Sequence, residues 1–350
     1  MRQPALGLVA SAIVIALALA YISLFDFEGF TGWGSYVLMC LIPFEIVAGV
    51  CWGANPGFVS KLSQPVKGIV LVLVCAVAGA IIGPLQWQLM GGGLPAMSPM
   101  LMQCTITSVV VTFTLAIMFG GWPFNVITKN QVLAGILVWI AAYAINDILF
   151  RVFFDYGFMA GAPVYVASLD PHGMFNATSA TVFYVTYIGV LFLLLHFDLW
   201  PLTLFPAIMK QPTLGIVWTI LALIIGGAAF QIGVVHLHMD PMLFLIRVPV
   251  PFIFGTIIVL NMLHNSVFAS LKQPVKGIVN TIAAVVVGSA LAALYGALAP
   301  TVTAQLQIGP PANDYERWLA SALLGVTFPF LIFYAEFFKM WPLMKEPQSK

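Results

Sequence analysis

The chain has 350 residues, 61% hydrophobic and 7% charged, with 13 Lys and Arg against 12 Asp and Glu for a formal net charge of +1. Soluble domains carry about 25% charged residues, so this composition excludes a water-soluble globule and makes lipid the solvent for most of the chain. With no basic stripe outside short loops, it also argues against a nucleic-acid partner.

A helix needs roughly 20 apolar residues to cross hydrocarbon, where every backbone polar group must be paired internally. In chain order, apolar runs predict ten transmembrane helices at 5–24, 34–53, 66–88, 103–121, 132–154, 178–199, 213–235, 245–266, 275–297 and 318–340. Solid runs such as Ile69–Ile82 lack the two-residue alternation of an outer-membrane barrel strand. The first run, with Arg2 before it and Ala18-Leu19-Ala20 near its end, also fits a cleaved signal peptide, which would leave nine helices. Cys40, Cys51, Cys75 and Cys104 fall in apolar spans without a C-x-x-C pair and read as small buried hydrophobes.

A short motif recurs at the starts of odd-numbered helices. Gln3-Pro4-Ala5-Leu6-Gly7, Gln64-Pro65-Val66-Lys67-Gly68, Gln211-Pro212-Thr213-Leu214-Gly215 and Gln273-Pro274-Val275-Lys276-Gly277 share Q-P-x-x-G, and Gln131-Val132-Leu133-Ala134-Gly135 keeps the Gln and Gly. Successive glutamines lie 61, 67, 80 and 62 residues apart, a length that suits two helices and their loops. Glu346-Pro347 has the look of a sixth start. Pro in the first turn sacrifices an N–H that has no helical partner, and the Gly allows close approach of a neighbouring helix, so the motif reads as a helix-entry device. Trp122-Pro123, Trp200-Pro201 and Trp341-Pro342 close three even helices with an interfacial indole and a helix stop.

These spacings predict an all-α integral membrane protein of five tandem helical hairpins, at about 3–60, 64–128, 131–208, 211–270 and 273–345. Arg2, Lys61, Lys67, Lys129, Lys210, Lys272, Lys276, Lys339, Lys345 and Lys350 share one set of helix ends, against Arg151, Arg247 and Arg317 at the other. Ten cations against three place the first set, and both termini, in the cytoplasm, most simply across a bacterial inner membrane. The opposite side is acidic, carrying Asp26, Glu28, Asp147, Asp155, Asp170, Asp240, Asp314 and Glu316. Five hairpins, each with one inner and one outer helix, resemble in topology the slow-anion-channel and tellurite-resistance transporter family; the resemblance is architectural and transfers no residue.

Ionisable groups inside spans are functional candidates because burying them is costly. Glu45 lies in the middle of the second helix, and His196, His264 and Glu336 stand toward the cytoplasmic ends of even helices. If those helices meet, the four could line one cavity as a proton relay or as metal ligands, and His196 with His264 could flank a haem. Near the outer ends, Asp147 and Arg151 are further transport or proton-relay candidates, and Arg151 and Arg247 could recognise an anion by bidentate hydrogen bonding, although Asp147 and Arg151 at i, i+4 would also simply pair. Two outer loops hold His172 and the run His236-Leu237-His238-Met239-Asp240, donors suited to copper, zinc or iron. Asn176-Ala177-Thr178 matches a glycosylation sequon.

Nucleotide-binding motifs are absent, which argues against an ATP-driven pump, and the outer histidines lack a standard catalytic spacing such as H-E-x-x-H. The sequence therefore predicts a transporter or channel for a small solute or ion, working in a lipid bilayer, alone, as a homo-oligomer or with a membrane-protein partner. The alternatives are a membrane metalloprotein, enzyme or redox-complex subunit with an outer His/Asp/Met site, and a scaffold without chemistry of its own.

Overall fold

A computed structural model describes residues 2–344. Among them, ten helices are long and apolar enough to cross a membrane: α1 (Ala5–Ile22), α2 (Phe27–Cys51), α3 (Val66–Gly91), α4 (Pro99–Met118), α5 (Gln131–Phe153), α6 (Ala177–His196), α7 (Thr213–His236), α8 (Pro241–Met262), α9 (Val275–Val302) and α10 (Asp314–Phe337). The only sheet among these residues is a two-residue parallel pair, β1 (Phe154–Asp155) with β2 (Phe175–Asn176), which ties off the loop between α5 and α6. Lys345, Lys350 and the Glu346-Pro347 start lie outside the described residues.

Even-numbered spans begin and end earlier than hydropathy predicts. At their starts the hydropathy window leaves out Asp26 and Asp240, yet these carboxylates cap α2 and α8 by accepting from Gly29 N–H and from Met242 and Leu243 N–H. At their far ends Trp52, Phe119, Phe197, Leu263 and Phe338 are apolar but already follow the helix. There the last turn of α2, α4, α8 and α10 widens to i→i+5 bonding, as in Trp52 N–H to Val47 O and Leu263 N–H to Ile258 O. Two consecutive left-handed residues then turn the chain away: Gly53-Ala54, Gly120-Gly121, Asp198-Leu199, His264-Asn265 and Lys339-Met340. Leu and Met pay for that conformation, so the stop is imposed by packing rather than by residue choice.

Burial separates the two sets of helices. In an 18-residue apolar window of each span, 61–72% of residues are buried in the even helices and 22–39% in the odd ones, so the even helices form the interior and the odd ones the periphery. α2 packs on α4, α4 on α6, α6 on α8, α8 on α10 and α10 back on α2. With lipid as solvent, association depends on close van der Waals packing, and small residues supply it. α8 and α9 illustrate the point, since a Cβ on Gly255 would strike the carbonyl of Ala284 and one on Gly288 that of Pro251.

The recurrent motif forms one kind of joint. In each copy the Gln amide donates to the carbonyl at the end of an even helix: Gln3 to Met262 (3.0 Å), Gln64 to Phe337 (2.7 Å), Gln131 to Cys51 (3.0 Å), Gln211 to Met118 (2.8 Å) and Gln273 to His196 (3.1 Å). In four copies the Gln oxygen also accepts from the N–H of the motif Gly. A side chain on that Gly would collide with the end of the same even helix: Met262 for Gly7, Phe338 for Gly68, Trp52 for Gly135, Phe119 for Gly215 and Phe197 for Gly277. Each odd helix thus meets the even helix three places before it, counted cyclically, so that α1 meets α8 and α3 meets α10. We call this side of the bundle the motif face and the other the loop face.

Candidate functional site

The interior where the even helices converge is apolar. A cavity of about 50 Å³ is lined by Met39 and Ile42 of α2, four residues of α4, three of α6, Ile253 of α8, and Leu324 and Phe328 of α10. Phe113 meets Phe192 edge-on at 5.3 Å and Phe328 at 6.0 Å between ring centroids. None of the four embedded ionisable candidates lines this space.

Glu45 is wholly buried one turn beyond Ile42, and neither carboxylate oxygen has a hydrogen-bond partner among the described residues. Pro43, in the first turn of the helical segment Ile42–Ile46, carries no N–H, and Phe44 beside it packs edge-on against Trp52 (5.2 Å) and Trp139 (5.3 Å). A charge at this position would be buried and unpaired, an arrangement that costs several kcal/mol, on the order of 3 or more.

The other inner candidates have partners. His196, the last residue of α6, is buried with Nε2 at 2.8 Å from Thr256 Oγ1 of α8. Glu336 accepts from Asn261 Nδ2 and Lys339 Nζ, both at 3.0 Å, which joins α10 to α8 at the motif face. His264 is exposed in the left-handed turn after α8. His196 and His264 therefore differ in setting: one is enclosed between two helices, the other lies in a surface turn.

On the loop face, Arg151 Nε donates to both Asp147 oxygens at 3.1 and 3.0 Å, with both side chains about half exposed. Arg247 is exposed in the last turn of the segment Pro241–Arg247. β1 and β2 bring Asp155 alongside Asp170 and His172, and their ligating atoms lie within 4.8 Å of one another. His172 Nδ1 is 3.4 Å from Asp170 and 3.7 Å from Asp155. Asp170 also organises the loop, accepting from Tyr156 N–H, His172 N–H and Tyr165 OH. Burial pushes its carboxyl up, but those hydrogen bonds and the His172 ring outweigh burial and hold it below the usual range.

His236, the last residue of α7, and His238 in the loop after it are exposed and do not join the Asp155–Asp170–His172 group; Asp240 caps α8, and Met239 packs against the core. Asn176, the sequon residue, caps α6 by accepting from Thr178 and Ser179 N–H. Asp155 was not among the sequence candidates, because only the β1–β2 pairing brings it to His172. Tyr143, Gln86 and Asn146 are uncharged, so charge does not single them out; a polar side chain within an apolar run is the signal they share.

No protein-family model, curated protein or solved structure matches the chain, so its function is read from its own residues.

Proposed function

We propose that this protein is a membrane transporter or channel for a small solute or ion. In this reading five tandem hairpins form a quasi-fivefold ring, with the motif face and both termini on the cytoplasmic side of a bacterial inner membrane. The cyclic order of the Gln joints and the burial difference between even and odd helices support the ring, and the lysine-rich motif ends support the orientation.

The observation that carries the function is Glu45, a carboxyl enclosed in an interior helix with no partner. A scaffold gains nothing from such a group, because a Leu would fill the space without a desolvation penalty, whereas intramembrane ionisable residues characteristically serve ion and substrate pathways. Flux into liposomes containing the purified protein, assayed across a panel of small organic acids, amines and inorganic ions, tests the reading. A substrate whose flux falls at least tenfold in Glu45→Gln is the expected result, and absence of flux for every solute and for protons would overturn it.

The second reading, a metalloprotein with a loop-face site, is favoured by the grouping of Asp155, Asp170 and His172. It requires copper, zinc or iron to be bound after purification, in amounts that fall in His172→Ala. Metal-free protein by elemental analysis removes this reading.

A further inference from the structure

The loop between α5 and α6 gathers three metal-ligating side chains outside the bundle interior. Asp155 ends β1, Asp170 and His172 stand just before β2, and the parallel pairing of Phe154 with Phe175 and of Asp155 with Asn176 brings the two ends of the loop together. The tie extends past the strands, with Gly173 N–H donating to Phe154 O at 2.8 Å and Met174 N–H to Val152 O at 3.0 Å. A Cβ on Gly173 would strike the backbone of Phe153 and Phe154, and His172 beside it holds a left-handed backbone with φ 49°. The fold of the loop itself therefore positions the three side chains.

Their spacing differs from that of a simple pair. His172 Nδ1 lies 3.4 Å from Asp170 Oδ2 and 3.7 Å from Asp155 Oδ1, and one donor atom from each residue lies within 4.8 Å of the other two. A charge-assisted hydrogen bond would close to about 2.7–2.9 Å. Two donors each about 2.1 Å from a tetrahedral zinc ion stand about 3.4 Å apart. The His172–Asp170 edge has that length, and rotation of the Asp155 side chain, 38% exposed, closes the rest.

Asp170 is supported in the manner of a ligating carboxylate. Its side chain is wholly enclosed; Oδ1 accepts from Tyr156 N–H at 3.1 Å and His172 N–H at 3.0 Å, and Oδ2 accepts from Tyr165 OH at 2.8 Å. A carboxylate oxygen has two lone pairs, so Oδ2 keeps one, and outer hydrogen bonds of this kind fix the direction of a metal ligand. Asp155 Oδ1 accepts from Gly157 N–H at 3.3 Å, while its Oδ2 has no hydrogen bond among the described residues.

We propose that Asp155, Asp170 and His172 bind one exchangeable zinc ion on the loop face, with water as the fourth ligand, and that the ion staples the α5 end of this loop to the α6 end. The inference rests on the donor group of the metalloprotein reading but replaces a resident metal with one taken from solution. Two of the three ligands are on exposed side chains, which leaves the ion open to exchange with water. The donor set selects the ion. Calcium takes six to eight oxygens and magnesium a near-ideal octahedron, whereas this group offers two carboxylates and a nitrogen. Copper(I) favours sulfur, which the group lacks, and imidazole with carboxylate suits zinc.

The test uses full-length, tag-free protein in detergent, stripped with a chelator, and compares wild type with Asp155→Asn, His172→Asn and the double variant His236→Ala/His238→Ala. Asn at 172 tolerates the left-handed backbone, and gel filtration checks that each variant is folded. Calorimetry is expected to show zinc binding to wild type one to one, with a rise of about a few degrees in melting temperature at saturating zinc. Cobalt in place of zinc should give the intense visible bands of a tetrahedral ion. Asp155→Asn and His172→Asn should each weaken zinc roughly tenfold or more, and the double variant should bind as wild type does. The site is overturned by wild type that binds no zinc, by equal affinity for magnesium or calcium, by binding untouched in both loop variants, or by binding lost with His236 and His238. Octahedral cobalt bands overturn the geometry, and zinc binding without a rise in melting temperature overturns the staple. Protein that purifies metal-free yet binds zinc in this way removes the resident metal and leaves the exchangeable site standing.

Discussion

At the motif face each Gln amide is spent on a helix-end carbonyl, each motif Gly is pressed against the same helix end, and Lys276 closes one joint by pairing with Asp198 at 3.0 Å. Along α2 and α5, by contrast, buried Glu45 and Trp52 and half-buried Trp139 and Tyr143 carry enclosed polar atoms with no hydrogen-bond partner. The first region pairs its polar groups as folding requires, and its near-identical copies show that position, not chemistry, is what repeats there. The second occurs once and breaks the pairing rule, which is where function is expected to reside.

The comparison breaks most easily at the joints. Gly277→Leu would drive a side chain into the Phe197 ring, and overpacking of this kind costs about 1–3 kcal/mol or more. The expected outcome is loss of folded, monodisperse protein on gel filtration in detergent. A normal elution profile and melting temperature would mean that the joint is not tight. Gln64→Ala ranks next. It strands the Phe337 carbonyl and the Gly68 N–H in a half-buried site, at about 1–3 kcal/mol, and should lower the melting temperature while leaving flux per folded molecule unchanged.

The buried carboxyl should respond in the opposite sense. Glu45→Leu removes an unpartnered buried carboxyl and adds apolar packing, so thermal stability should hold or rise by up to about 1 kcal/mol while transport disappears. A marked fall in stability would identify Glu45 as a structural residue and erase the contrast between the two regions.

Two smaller effects sharpen the picture. Burial raises the Asp198 carboxyl, but hydrogen bonds from Gln273 and Lys276 and the charge of Lys276 outweigh it and hold the group below its ordinary value. A depressed carboxyl contributes stability that is present above the unfolded value near pH 4 and is lost as pH falls through the folded value. The α6–α9 joint should therefore weaken only below about pH 4. Asp198→Asn should be slightly less stable at neutral pH and should lose that acid-dependent component, as read by melting temperature against pH. Smallest of all, Arg151→Ala removes an exposed pair worth about 0.5 kcal/mol or less and should barely move the melting temperature. A large loss of solute flux in that variant would instead give Arg151 a part in the pathway.

Much of this was legible in the sequence. Ten spans follow from apolar runs, since hydrocarbon leaves few other options for the backbone, and the motif copies were visible as recurrent Q-P-x-x-G. Span ends were less legible. The stop after each even helix uses Gly-Ala, Gly-Gly, Asp-Leu, His-Asn or Lys-Met in one backbone conformation, so no residue pattern announces it. Among the sites, Glu45 stood out because a carboxyl in an apolar run is rare, but its solitude could not be read from its neighbours in sequence.

By itself the sequence determined the solvent, the number of crossings and the entry device of the odd helices, because each depends on local composition and spacing. Only the tertiary structure decided that α1 locks to α8 and α5 to α2, that Asp155 stands beside His172 while His236 does not, and that the Glu45 carboxyl is buried without a partner. Each of these depends on which distant segments share space, and helices that are apolar all round pack equally well on many partners until the joints at their ends select one.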